Sequence, residues 1–343
     1  MNKKEISRRD LVKLGLAGAA VSALPVPLWA QSGPVTHVIP SSGEKIPVIG
    51  VGTNSFNLGL QDQLTEMIAG LVKQGGKVID TAAAYGESEQ TIGNILAQTK
   101  LRDQVFISTK LTAGGGMGGS PPGAGMNQGG QPPMGGGNPG QGAMAGGGRP
   151  PMDRVGGKES FERSLERLQT ASIDLLMVHN MNGLEELMPQ LQDWKKAGLI
   201  RYLGTTTSNS RQHTAMMEAM ETYDFDFVQV NYSLGDRTAE EGVLPLARKK
   251  GVATMINVPF GGRGGRTLSE VLSEPLPDWA ADIGATSWAQ ILLKYVVSHP
   301  DVTVAIPGST KLNHLLDNQQ AATGPMPDQA MRQRIAAYWD SMA

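Results

Sequence analysis

The stretch KVIDTAAAYGESE, residues 77–89, carries a short apolar run into a carboxylate, Asp80, and five residues later into a phenol, Tyr85. A strand covered on both faces has no use for a carboxylate at its end unless partners for it arrive from elsewhere. Seven further runs have the same character: 47–53 (PVIGVGT), 105–110 (VFISTK), 173–180 (IDLLMVHN), 200–206 (IRYLGTT), 227–233 (FVQVNYS), 252–258 (VATMINV) and 302–308 (VTVAIPG). Val and Ile dominate them and polar alternation is weak, as in strands buried on both sides.

Between the runs the sequence takes on helical spacing. LTEMIAGLVKQG (64–75) stops at Gly75–Gly76, and SFERSLERLQT (160–170) repeats Phe161, Leu165 and Leu168 on one face. EELMPQLQDWKKAG (185–198) and LPLARKKG (244–251) each end in lysine followed by a small residue or Gly, placing cations where a helix C-terminus attracts them. Eight strand–helix repeats predict an α/β fold, a (β/α)8 TIM barrel. An open doubly wound sheet would offer G-x-G-x-x-G after its first strand, where this chain has GVGTNSF. THVIPSSGEKIPV (36–48) reads as a hairpin turning at Ser-Ser-Gly and capping the bottom of the barrel.

In such a barrel the chemistry sits at the C-terminal ends of the strands. The second run ends in Asp80, the third in Lys110 and the fourth in His179, with Tyr85 on the loop after the second. Adjacent strands lie roughly 4.8 Å apart, so these four side chains reach a common point. Together they suit reduction of a carbonyl by hydride. Tyr85 supplies the proton that the oxygen needs, although a free phenol, with a pKa of about 10, is a poor acid near neutrality. A lysine cation beside it favours the phenolate, Asp80 holds that lysine, and His179 donates a hydrogen bond to the carbonyl oxygen.

VIDTAAAYGESEQTIG, VFISTKL, LERLQTASIDLLMVHN, IRYLGTTTSN and VQVNYSL, in that order and over about residues 35–322, resemble the aldo-keto reductases. The resemblance implies an NADP(H)-dependent carbonyl oxidoreductase with the tetrad Asp80, Tyr85, Lys110 and His179 intact, and Gln229 holding the nicotinamide carboxamide. It also marks departures. Thr206 and Thr207 stand where the family has Ser-Asn, and Asn257 stands where a Tyr stacks on the nicotinamide, unless Phe260 swings in. After the eighth strand, Ser309, Lys311 and Asn318 match ligands of the adenosine 2′-phosphate and adenine, while Gly308 and His314 replace the usual Lys and Arg. With two fixed cations fewer NADP(H) stays favoured and NAD(H) stays open. Gly308–Ser309 at a helix start offers backbone N–H groups to phosphate, and GGRGGR (261–266) offers Arg263 or Arg266 to the pyrophosphate.

Two segments fall outside the repeat. Residues 1–30 place Arg8–Arg9, in SRRDLVK, before an apolar stretch too short to span a bilayer, with Ala30 at the expected cut. This predicts a twin-arginine-type signal, the twin-arginine export machinery as a partner and a periplasmic or otherwise exported mature chain. The barrel then occupies 31–343. Residues 113–152 hold 17 Gly and 7 Pro among 40, with Arg149 the only charge, a composition that predicts a disordered insertion after the third strand. Its methionines (117, 126, 134, 144 and 152) are soft ligands suited to Cu(I).

Composition narrows the remaining readings. The 343 residues carry a net charge of −2, with no basic excess to draw nucleic acid. Removal of residues 1–30 takes five basic and two acidic residues from totals of 30 and 32 and leaves −5. Cysteine is absent, which excludes disulfides, thiol nucleophiles and Cys-ligated metal. No carboxylate cluster at the strand ends suggests a metal-dependent isomerase, and no metal site is expected in the barrel. The competing reading is an exported, non-catalytic barrel that binds or sequesters metal through its Met-rich insertion.

Overall fold

The computed structural model of the chain describes residues 33–113, 157–262 and 265–342. The expected signal (1–30) and nearly all of the expected insertion (113–152), with its methionines, lie outside the described residues, as does Arg263.

An antiparallel hairpin comes first, β1 (Thr36–Val38) against β2 (Lys45–Pro47), turning through Gly43 at φ +77°. Eight parallel strands follow in chain order: β3 (Val51–Gly52), β4 (Val78–Asp80), β5 (Phe106–Leu111), β6 (Ile173–Val178), β7 (Ile200–Thr206), β8 (Phe227–Asn231), β9 (Ala253–Asn257) and β10 (Val304–Ala305). Parallel bridges from Ile49 to Ala305 and from Gly52 to Gly308 join the last strand to the first. The result is the expected (β/α)8 barrel. Its first and last strands are shorter than their apolar runs, because β3 and β10 meet through these isolated bridges.

The barrel wall obeys a period of two. Side chains of one parity, Val78, Phe106, Leu175, Met177, Tyr202, Phe227, Met255 and Val304, form an apolar plug inside, closed from below by Ile39 and Ile46 of the hairpin. Those of the other parity, including Ile79, Ile107, Leu176, Val228 and Ile256, join the layer packed against the helices. Continuing the inward parity past the plug leads to Asp80, Lys110, His179, Thr206, Gln229 and Asn257. A floor of large apolar groups thus carries a rim of polar ones.

The helices are α1 (Gln61–Lys73), α2 (Ser88–Thr99), α3 (Gly157–Leu168), α4 (Leu184–Lys196), α5 (His213–Thr222), α6 (Val243–Lys250), α7 (Leu268–Val271), α8 (Trp288–Val297), α9 (Leu312–Gln320) and α10 (Gln329–Ser341). On α1, Leu64, Met67, Ile68 and Leu71 are buried at helical spacing, and Gly75 at φ +81° follows its end. Gly251 does the same for α6 at φ +68°. Gly93 allows α2 to approach the end of α3, since a Cβ there would lie 2.0 Å from the Arg167 carbonyl oxygen. Among the described residues no helix is long and apolar enough to cross a membrane.

Candidate active site

Asp80 ends β4 and is 2% exposed; Lys110, on β5, is 1% exposed. Their side chains meet at 2.6 Å, Nζ to Oδ2, and the same Nζ donates to the Thr81 carbonyl at 2.6 Å. The other carboxylate oxygen accepts from Ser108 Oγ at 2.9 Å and Gln229 Nε2 at 3.0 Å. An ion pair this dry survives because both carboxylate oxygens and two of the three ammonium N–H groups have partners. Ser108 is a functional residue the sequence reading missed, although its place two before Lys110 puts it on the same inward face.

Tyr85 arrives by a turn. Its N–H donates to the Ala82 carbonyl, and its own carbonyl accepts from Ser88, the first residue of α2. Thr53, Thr81 and Ser88 link their hydroxyls at 2.8 and 2.9 Å and tie this turn to the ends of β3 and β4. The phenol ring comes to rest with its centroid 5.2 Å from Lys110 Nζ. His179 follows β6 directly, its ring perpendicular to that of Tyr85 at 5.8 Å. Burial, and after it the Lys110 charge, lowers the His179 pKa to about 4. The imidazole is therefore neutral at physiological pH and has one N–H to donate.

These groups border a cavity of about 680 Å³ at the C-terminal mouth of the barrel. Asp80, Tyr85 and His179 line it, and Lys110 stands directly behind the first two. Thr206, Gln229, Asn257 and Gly308, the residues expected at the cofactor, also line it, and so does Phe260. Thr207 does not. Its parity is outward, its hydroxyl donates to Gln212 Oε1 at 2.7 Å, and its carbonyl holds the Asn257 amide at 2.9 Å. Ser208, one residue on, lines the cavity instead, with Asn54 and Asn180.

A second cavity, about 270 Å³, shares Asn54 and Gly308 with the first and is lined by Ser309, Lys311 and His314. The two adjoin at Asn54 and Gly308, one bordering the buried ion pair and the other an exposed pair of basic side chains. Gly308 lines both, and an added Cβ there would meet nothing closer than 3.8 Å. A dinucleotide with a negatively charged far end fits that shape and charge. Asn318 lines neither cavity and is buried on α9. Arg266 is engaged elsewhere: it donates to the Trp339 and Met342 carbonyls at the end of α10 and lies over the Trp339 ring. Among the described residues no group of three or more His, Asp or Glu side chains is placed to hold a metal ion.

Comparison with known proteins shows the family and the fold. The family model described as the aldo/keto reductase family matches residues 48–338, and the chain belongs to that family. Norsolorinic acid reductase A of Aspergillus parasiticus is 28% identical over 331 residues, covering 86% of this chain and 78% of that protein. The probable aryl-alcohol dehydrogenase AAD4 of Saccharomyces cerevisiae is 29% identical over 301 residues, covering 76% and 83%. Among solved structures, an aldo-keto reductase of Klebsiella pneumoniae in complex with NADPH superposes with a TM-score of 0.64 at 23% identity, covering 90% of this chain and 96% of that one. The holo form of an aldo-keto reductase of Bacillus halodurans gives 0.65 at 20%, covering 89% and 96%. At these identities the superpositions speak for the fold.

Proposed function

We propose that the protein reduces an aldehyde, ketone or sugar carbonyl with NADP(H), and that Tyr85 is the general acid. The observation that carries this reading is the convergence of a buried Lys110–Asp80 pair, the Tyr85 ring and a neutral His179 on one cavity. Bound NADPH supplies a hydride to the carbonyl carbon. The neutral His179 N–H orients the carbonyl oxygen, and Tyr85 passes its proton to that oxygen as negative charge builds there. The Lys110 ammonium stabilises the phenolate left behind, and Asp80, held by Ser108 and Gln229, fixes the ammonium in place. Solvent at the open mouth returns the proton to Tyr85.

The chain's own residues fit the cofactor. Thr206, Ser208, Gln229 and Asn257 face the nicotinamide end, while Ser309, Lys311 and His314 face the phosphate end. That a structural relative is described in complex with NADPH supports NADP(H) over NAD(H). Tyr85→Phe tests the reading. Steady-state reduction should fall by about 10²–10⁴-fold while NADPH affinity stays within about twofold. A variant that reduces carbonyls at the wild-type rate would sink the assignment of Tyr85.

The Arg8–Arg9 motif further supports export of the folded, cofactor-loaded protein. Free nicotinamide nucleotide is scarce outside the cytoplasm, so the loaded cofactor is retained, and one substrate is reduced and another oxidised in turn. Protein purified from the periplasm and denatured should release NADP(H) near one per chain. Empty exported protein, or export undisturbed by Arg8→Lys with Arg9→Lys, would overturn this part.

A further inference from the structure

The segment from His179 to α4 contains the only Asn-Gly pair of the chain, Asn182–Gly183. Both residues are exposed. Asn182 is extended, at φ −74° and ψ 110°, and its N–H donates to the His179 carbonyl at 3.1 Å. Gly183 stands just before the first turn of α4. Its carbonyl accepts from Leu187, but its N–H lies outside the helix ladder. Among the described residues no hydrogen bond takes up that N–H or the Asn182 side-chain amide. The fold requires glycine here, because φ is +80° and an added Cβ would lie 2.2 Å from that of Ala113. Asn54 and Asn209 are exposed too, but each precedes serine, and each has its Oδ1 engaged, by Ser55 Oγ at 3.3 Å and by the Arg211 N–H at 3.2 Å.

We infer that Asn182–Gly183 is a site of spontaneous covalent modification, at which the folded protein converts Asn182 to aspartate and isoaspartate. The Gly183 nitrogen loses its proton to water and bonds to Asn182 Cγ, while the bond from Cγ to the side-chain nitrogen breaks and ammonia leaves with a proton from water. Gly183 has no Cβ to crowd that approach. Water then opens the resulting succinimide at either carbonyl, and no oxidant or reductant takes part. Opening at the main-chain carbonyl routes the backbone through the side chain and adds one carbon between the turn closed on His179 and the start of α4. That turn carries a residue of the candidate site, so the isoaspartyl form loses carbonyl reduction; this consequence, unlike the modification, rests on the reductase reading above.

The test ages the whole folded protein in warm, mildly alkaline buffer, digests it with trypsin and follows peptide 168–195 by mass spectrometry. The same chain held in denaturant gives the rate that the sequence alone sets. Residue 182 should change from amide to acid in the folded protein within about tenfold of that rate, as expected where no local unfolding precedes the attack. It should do so ahead of residues 54 and 209, and the product should accept a methyl group from an isoaspartyl methyltransferase. Asn182→Gln should abolish the change. Slower conversion than this in the folded protein, or conversion no faster at 182 than at 54 and 209, overturns the inference. Reduction of a carbonyl by NADPH should fall in step with isoaspartate in the wild type and persist in Asn182→Gln. Activity that survives full conversion removes the consequence for His179, and a fresh protein that reduces nothing sinks the reductase reading, while the peptide map decides the modification in either case.

Discussion

At His179 two effects act in the same direction: burial strips water from the imidazole, and the Lys110 ammonium repels a second positive charge, so the ring titrates at about 4. Because it stays neutral down to that range, kcat/KM for carbonyl reduction should show no histidine break between pH 5 and 8; a break near 6.5 that disappears in His179→Gln would contradict this. The same shift acts on stability. The unfolded chain takes up a proton near 6.5 that the folded chain refuses until about 4, so stability is lost as pH falls through that window. Measured against His179→Gln, the wild type should lose on the order of 3 kcal/mol between pH 6.5 and 4. Lys110 and Asp80 give a second test. Asp80→Asn leaves an ammonium buried without its counter-charge and should cost about 3–5 kcal/mol. Joined to Lys110→Met it should cost less than alone, since no unpaired charge then remains; chemical denaturation of the two variants distinguishes these outcomes.

Strands and helices were largely legible because their signals are repetitive. Eight Val/Ile-rich runs can be read without knowing a single contact, and the residues that end them include Lys110 and, close by, Asp80 and His179. The same alternation contained what the sequence reading overlooked. The parity that carries Tyr202 and Gly204 inward also carries Thr206 and Ser208 inward and Thr207 outward, so Thr207 meets Gln212 and not the cavity. Asn180 was not legible, because its left-handed backbone belongs to a turn that no periodicity announces. Nor was Arg266, whose partners lie more than 70 residues further along the chain. Helix packing offers a test at this scale. Gly93→Ala would press a methyl to 2.0 Å from a carbonyl oxygen of the neighbouring backbone. It should destabilise the protein by about 1–3 kcal/mol, lowering Tm by several degrees in a thermal melt; an unchanged Tm would mean that α2 and α3 can part freely.

Across the whole molecule, the C-terminal segment is fastened to the barrel by polar contacts. The buried Lys294 ammonium donates to the Thr323 and Pro325 carbonyls at 2.6 and 3.0 Å, and burial lowers its pKa to about 8. The unfolded chain holds that proton up to about 10.5, so between pH 8 and 10.5 this group makes stability rise with pH. Lys294→Met should remove that rise, and denaturation midpoints across the window would show it. Further along, Arg332 on α10 joins Glu240 at 3.0 Å and Tyr232 at 2.8 Å. Arg266 then ties the last turn of α10 to the loop whose residues 258–261 wall the cavity. The carboxyl end of the polypeptide is thus coupled mechanically to the mouth of the barrel. A fusion partner or affinity handle appended after Ala343 would pull on the cofactor's enclosure, and one placed before Met1 would obstruct the proposed export signal. Neither end of this chain is a neutral point of attachment.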